Sequence, residues 1–453
     1  MRRASLSVIF ASVVALLVAT TVIITQRGDS ASNRPANAEG PTATAPAAQP
    51  THAPLGPTAT AGVLTPTGVA SGPAEHDGSR TLELVKQLSQ SPRVSGTDGE
   101  SAAANVIATL LRSYGYTTEV MAFEFDGDRF RAGTASAGGQ NYEALTLAGS
   151  PGGNVSAPAA YVGLADVAGI AGQNLSGKMA VAERGTLNFI EKYANVKEAG
   201  AIGLVVVNNK PGPFSGNLTT AATIPVVAVS QEDGVALLAA ARAGKEVGID
   251  APPTAGKTKA LNVIARASAT AECKVLVGGH FDSVPGAPGA NDNASGAATV
   301  VELARAFAVD GIDEGLCFAT FGAEESGLYG SKALVEEMQS TGKLPRYMVN
   351  LDVTGIGDDV EVIGGGDLSR RAIDLAKNLG IPAVQSQLPA NSGSDHQSFV
   401  DANVPTVFLT AGDFDTIHSP QDVAADIDQA ELDRVGDAAY AVIKSLVAEV
   451  ARG

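Results

Sequence analysis

The chain has 453 residues, room for more than one folded unit, and its 48 Asp and Glu against 31 Lys and Arg give a formal net charge of -17. Such a surface repels a phosphate backbone, which excludes a nucleic-acid binder, and it favours solubility without defining a substrate.

Taken in order, residues 1–27 open with Met1-Arg2-Arg3 and an uncharged apolar-rich stretch from Ala4 to Gln26, long enough to cross a membrane with positive charge before it. This predicts a signal anchor or signal peptide. The nearest small-x-small site, Ala36-Asn37-Ala38, lies well past the apolar stretch, and no nearby cysteine could take a lipid, so retention in the membrane is favoured over secretion. Either outcome places the rest outside the cytoplasm. Residues 28–78, rich in Pro, Ala, Thr and Gly and holding His52 and His76, read as a disordered stalk.

Residues 79–132 predict two amphipathic helices, the second marked by Val106, Ile107, Leu110, Leu111 and Tyr114, then a strand around Thr118 to Phe125. From 133 to 252 the pattern turns to short β-runs and Gly-rich turns, such as GKMAVAERG, GAIGLVVVNN and TIPVVAVSQEDG. The first architecture resumes over 253–453 with ALNVIARA at Ala260, and ends in a helix whose Leu432, Val435, Ala439, Val442 and Leu446 share one face. That helix reads as a sheet cover for which no partner need be invoked, and the oligomeric state is left open.

The chemistry sits in three strings, VLVGGHFDS at Val275, GANDNASG at Gly289 and TFGAEESG at Thr320. The runs Val275–Val277, Leu316–Phe318 and Val349–Leu351 read as buried strands, each followed by a candidate ligand. Ligands gather beyond the carboxyl ends of strands in open α/β sheets, so His280, Glu324, Glu325 and Asp352 converge. Asp292 precedes a helix carrying Val300, Leu303 and Phe307, and His418 follows a strand-like run at Thr406 to Leu409.

Imidazole and carboxylate together suit zinc, although manganese or cobalt accept the same donors. Two co-catalytic zinc ions need one bridging carboxylate, assigned to Asp292, with His280 and Asp352 on one ion and Glu325 and His418 on the other. Glu324 is then free to act as general base, and Asp282 holds the other nitrogen of His280.

In sequence order HFDS, GANDNASG, AEES, NLDVTG, GSDHQSF and DTIHSP resemble the two-zinc aminopeptidases related to bacterial leucyl aminopeptidase and aminopeptidase Y, and SPRVSGTDGE near Ser91 resembles that family's opening segment. The resemblance implies a three-layer α/β/α domain with a mixed or parallel sheet, removing amino-terminal residues from peptides by attack of a metal-bridging hydroxide. It also implies a cis peptide at Asp292-Asn293. One position departs: Ile417 stands where well-known members carry a Tyr that polarises the intermediate. The segment 133–252 resembles a protease-associated domain, either a lid over the cleft or a packed accessory.

Taken singly these pieces are weak, since a lone HxD or Glu pair is usually structural. His396 in GSDHQSF is as readily a loop support as a substrate contact. The acidic stretch Asp422 to Asp428 reads as solvated or capping, with calcium the alternative occupant. Specificity is expected from loops such as Gly364 to Asp367 and Pro389 to Ser394. Cys273 and Cys317 each precede a site residue by seven positions, predicting equal heights on two strands and either a disulfide or buried thiols. The runner-up function is a glutamate carboxypeptidase-like dipeptidase, whose selectivity would need a cluster of arginines for the substrate carboxylates, and no such cluster is evident near these motifs. A non-catalytic ectodomain on the same scaffold is the reading from another class.

Overall fold

The computed structural model describes residues 75–127, 130–218, 221–253, 256–388 and 392–452. The predicted anchor and most of the stalk lie outside them. Among the described residues no helix is long and apolar enough to cross a membrane.

An eight-stranded mixed sheet runs in the spatial order 117–126, 257–266, 316–321, 275–280, 347–351, 406–412, 357–363, 383–386. Its centre is parallel, pairing Val275–His280 with Leu316–Phe321 and Tyr347–Leu351, and the latter with Thr406–Gly412. Side chains along each strand alternate between two cores. Val275, Val277, Phe318 and Val349 face helices Gly78–Leu88, Asp98–Ser113, Gly296–Val309 and Gln429–Val450. Leu276, Cys317, Phe321 and Met348 face helices Tyr329–Ser340 and His396–Asp401. The result is a three-layer α/β/α arrangement.

The insert is a closed seven-stranded barrel of strands lying between Arg131 and Ala251, with its own apolar interior that includes Val181, Val205, Val227 and Val247. It enters from strand Thr117–Asp126 and returns on Lys257–Arg266, which pair antiparallel with Asp126 opposite Lys257. Entry and exit are therefore adjacent, so the barrel hangs from a hairpin without breaking the sheet.

Two expectations need correction. Strand register sets Leu276, not Cys273, opposite Cys317, because Cys273 lies before the strand begins. Glu324 lies beyond Phe321, the partner of His280, so equal spacing from the two ligands gives unequal heights, and both cysteines are buried free thiols, one of the two states expected. The packed chain also starts before Ser79. Asp77 caps the first helix by accepting from the Ser79 and Arg80 amides, and Arg305 Nη2 donates to Glu75 O at 2.8 Å.

His76, assigned to the stalk by composition, is buried against Gly436 of the last helix, where no Cβ would fit beside the ring, and its Nε2 lies 2.9 Å from Thr81 Oγ1. Burial lowers its pKa to about 4, with Asp77 opposing and Arg305 assisting. The unfolded chain therefore takes up a proton near pH 6.5 that the folded state refuses until about pH 4, so His76 stabilises fully above pH 6.5 and loses that contribution as pH falls. Between pH 7 and 5 the stability of wild type relative to His76→Gln should drop by about 2 kcal/mol in denaturant unfolding. A pH-independent difference would refute this.

Candidate active site

The parallel strands deliver the donors to one edge. His280 ends its strand, Asp352 follows Leu351 directly, and Glu324 and Glu325 lie in the loop after Leu316–Phe321. His418 follows Thr406–Gly412, and Asp292 lies in an irregular turn leading into helix Gly296–Val309. The Asp292-Asn293 peptide is cis. Ala323 (φ 53°), Val353 (φ 51°) and His418 (φ 58°) take left-handed backbone conformations that L-residues avoid. Hydrogen bonds hold two of them in place. Ala323 N donates to Ser95 Oγ at 2.7 Å, and Val353 N to Asn293 Oδ1 at 3.2 Å.

The carboxylate of Asp292 splits its oxygens between the histidines. Oδ1 is 3.3 Å from His280 Nε2, and Oδ2 is 2.9 Å from His418 Nε2. His280 Nε2 is also 3.3 Å from Asp352 Oδ1, and His418 Nε2 is 3.1 Å from Glu325 Oε2. Glu324 Oε2 stands farther from His280, at 4.0 Å. Donor atoms of His280, Glu324 and Asp352, and separately of Asp292, Glu325 and His418, lie within 4.8 Å of one another. Three buried atoms here, His280 Nε2, Glu325 Oε1 and Asp352 Oδ1, have no hydrogen-bond partner. Unpartnered buried donors of this chemistry fit a cation such as zinc.

The clustered charges act on one another. Burial disfavours the imidazolium of His280, but Asp352 and Glu324 outweigh it and raise its pKa well above the usual value; Glu325 and Asp292 do the same for His418. Burial, reinforced by Glu325, Asp395 and Asp352, raises Glu324 well above the carboxylate range although His280 opposes it.

Asp282 sits behind the donors. Its Oδ1 is 3.5 Å from His280 Nδ1 and accepts from Glu324 N at 3.1 Å; Oδ2 accepts from Glu325 N at 3.4 Å and from Ser95 Oγ at 3.1 Å. Ser394 Oγ donates to Asp352 Oδ2 at 2.7 Å, so it supports a donor and is buried, unlike the specificity wall expected of its loop. His396 is buried with its ring 5.0 Å from Phe408, and it belongs to neither donor group. Ile417 is half-buried beside His418.

Asp422 corrects the solvated reading of its stretch. It is buried and accepts from the Asn291 and Asp292 amides at 2.6 and 3.0 Å, while burial raises its pKa to about 6. Both oxygens are thereby committed to backbone, and Asp428 caps the last helix. Arg93 and Ser95 lie in SPRVSGTDGE and Ser394 in GSDHQSF, while Asp422 follows DTIHSP after Gln421, so proximity to those motifs was the available signal.

A three-layer α/β domain with clustered imidazole and carboxylate donors beyond its parallel strands defines a metal-dependent hydrolase. Residues 262–443 match peptidase family M28, and residues 144–237 match the PA domain. Aminopeptidase YwaD of Bacillus subtilis is 30% identical over 398 residues, covering 80% of this chain and 83% of its own length. The probable lipoprotein aminopeptidase LpqL of Mycobacterium tuberculosis is 28% identical over 372 residues, covering 73% of this chain and 72% of its own. The structure of BSAP, a zinc aminopeptidase from Bacillus subtilis, is similar with a TM-score of 0.72 at 26% identity, over 83% of this chain and 96% of that one. The chain belongs to peptidase family M28 and carries a PA domain as its insert.

Proposed function

We propose that this protein is a zinc-dependent aminopeptidase using two metal ions, with Asp292 shared between them, His280 and Asp352 on one and Glu325 and His418 on the other. The observation that carries this reading is the division of the Asp292 oxygens, one toward each histidine. Zinc bound by these donors would supply Lewis acidity, acidifying water and polarising a peptide carbonyl.

The chain's own residues do the rest. Glu324, farther from His280 than Asp292 or Asp352, takes the proton released by attacking water and returns it to the leaving amine. Asp282 fixes the ring of His280 and the backbone beneath both glutamates, as a positioning residue. The surrounding carboxylates attract the free ammonium of a peptide's first residue. With Ile417 where some well-known members of the family carry Tyr, no phenol from that position helps the intermediate. His396 supports the wall behind Asp352. The apolar segment from Ala4 to Gln26 supports a location outside the cytoplasm, and one relative is named as a probable lipoprotein aminopeptidase.

The test is hydrolysis of aminoacyl anilides and peptides, free or acetylated at the amino terminus, by the full chain, with metal content measured on the same sample. Cleavage that requires a free amine, with about two zinc ions bound, is expected. Cleavage of acetylated, carboxylate-bearing substrates would instead install the carboxypeptidase reading. Inactivity at full zinc occupancy would leave the binding-protein reading.

A further inference from the structure

The turn that carries Glu324 and Glu325 takes its shape from side chains of distant segments. Its four consecutive amides donate in order to Asn262 Oδ1 from Gly322 at 3.1 Å, Ser95 Oγ from Ala323 at 2.7 Å, Asp282 Oδ1 from Glu324 at 3.1 Å and Asp282 Oδ2 from Glu325 at 3.4 Å. We propose that Ser95 is a positioning residue of the site, whose hydroxyl locks Asp282 to the glutamate turn and so holds Glu324 where its proton transfer needs it. The inference rests on the reading of Glu324 as general base and adds the group that fixes it.

Hydrogen-bonding capacity singles out Ser95. A hydroxyl has one hydrogen and two lone pairs, so it can accept from an amide and give its own hydrogen to a carboxylate at the same time. Ser95 does both, accepting from Ala323 N and donating to Asp282 Oδ2 at 3.1 Å. Asn262 turns its amide nitrogen away, to Gly330 O at 2.8 Å, and an ionised Asp282 has no hydrogen to give. Among these three acceptors Ser95 is therefore the joint between the turn and the carboxylate that backs His280.

The turn needs such a joint. Ala323 is buried and sits at φ 53°, outside the conformations an L-residue prefers, so its amide requires a partner and its backbone a restraint. The carbonyl side is held as well, since Tyr329 N donates to Ala323 O at 3.0 Å and both Gly327 N and Leu328 N donate to Glu324 O at 2.8 Å. With the backbone fixed on both sides, the reach of the Glu324 carboxylate follows from the turn. A general base works within about 2.6 to 3.2 Å of the proton it takes, so a small displacement of the turn is felt in turnover.

Ser95 is itself anchored. The buried carboxylate of Glu100 accepts from Gly96 N at 2.8 Å and from Leu261 N at 3.1 Å, which ties the segment holding Ser95 to the strand that supplies Asn262. Gly322 packs so closely on that carboxylate that a Cβ would fall 2.5 Å from Glu100 Oε1. The segment from Ser91 to Glu100 thus meets the turn at its first two residues, from 228 positions away in the case of Ser95 and Ala323.

The experiment measures kcat, KM and bound zinc of the full-length, zinc-loaded enzyme on leucyl anilide for Ser95→Thr and Ser95→Val, side chains of one shape that differ by the hydroxyl, and for Ser95→Val combined with Glu324→Gln. Ser95→Val should lower kcat by about 10- to 100-fold with KM and zinc near wild type, whereas Ser95→Thr should stay within about threefold of wild type. In the Glu324→Gln background Ser95→Val should cost less than about threefold more, because a residue acting through Glu324 has nothing further to disturb. Equal losses in Thr and Val, a Val variant as active as wild type, zinc lost in step with activity, or a full further loss in the double variant would each overturn the role of Ser95. Those results leave the general base standing if Glu324→Gln alone is inactive at full zinc. Turnover retained by Glu324→Gln would bring down both.

Discussion

Glu324→Gln should lower kcat by roughly 10²- to 10⁴-fold, while KM and zinc content stay close to wild type. Glutamine keeps the size and hydrogen-bonding reach of the side chain but cannot take a proton. The backbone at this position is fixed independently, since Glu324 N donates to Asp282 Oδ1. The side chain also stands 4.0 Å from His280 Nε2, against 3.3 Å for both Asp292 and Asp352, so removing its charge should not unseat a cation. Glu325→Gln serves as the contrast: its Oε2 lies 3.1 Å from His418 Nε2, and its loss should lower zinc content together with activity. Kinetics on leucyl anilide with metal analysis of each variant decide the matter. Zinc lost from Glu324→Gln would make Glu324 a ligand, and turnover retained at full zinc would remove it as the base.

What the sequence revealed was governed by local rules. Each apolar run is short because it crosses one sheet, and the residue after it emerges where the strand ends, so His280 and Asp352 could be placed from pattern alone. Helices such as Asp98–Ser113 and Gln429–Val450 were legible because one face of each is buried. What escaped was set by contacts between distant segments. Ser95 reaches Asp282 across 187 residues and Asp422 reaches the Asn291 amide across 131, and neither pairing leaves a periodic trace. Acidic surroundings suggested a solvated Asp422, yet two backbone amides compensate its burial. His76 was masked in the same way by low-complexity neighbours. The equal heights expected of Cys273 and Cys317 failed because distance along a strand does not give the stagger between strands, whereas buried free thiols were one of the two states expected.

Arg93→Met should destabilise the folded chain by about 3 to 5 kcal/mol, the range for removing a buried, fully hydrogen-bonded charge. Arg93 is 1% exposed and spends its guanidinium on carbonyls: Nε on Phe281 O at 2.6 Å, Nη1 on Leu88 O at 3.0 Å and Pro288 O at 2.7 Å, and Nη2 on Gly289 O at 2.8 Å. Its backbone N adds a bond to Ser283 Oγ at 2.9 Å. Phe281, Ser283, Pro288 and Gly289 all lie between His280 and Asp292, so one side chain braces the loop joining two proposed ligands. Burial lowers the Arg93 pKa to about 10, opposed by Asp282, Asp422, Asp292 and Glu325, and the group stays charged at neutral pH. Methionine fills much of the space but takes a donor from four carbonyls, of which Gly289 O keeps the Ala294 amide, and it removes a positive charge from beneath the acidic cluster. Arg93→Lys keeps the charge without the planar fork and should recover only part of the loss. Denaturant unfolding of the zinc-loaded proteins measures the stability, and competition with a chelator measures retention of zinc. Both should fall together in Arg93→Met, because the brace serves fold and ligand geometry through the same bonds. A stable variant that still released zinc readily would limit Arg93 to shaping the site, whereas one that matched wild type in both would leave the carbonyls satisfied by some other donor and the brace without a role.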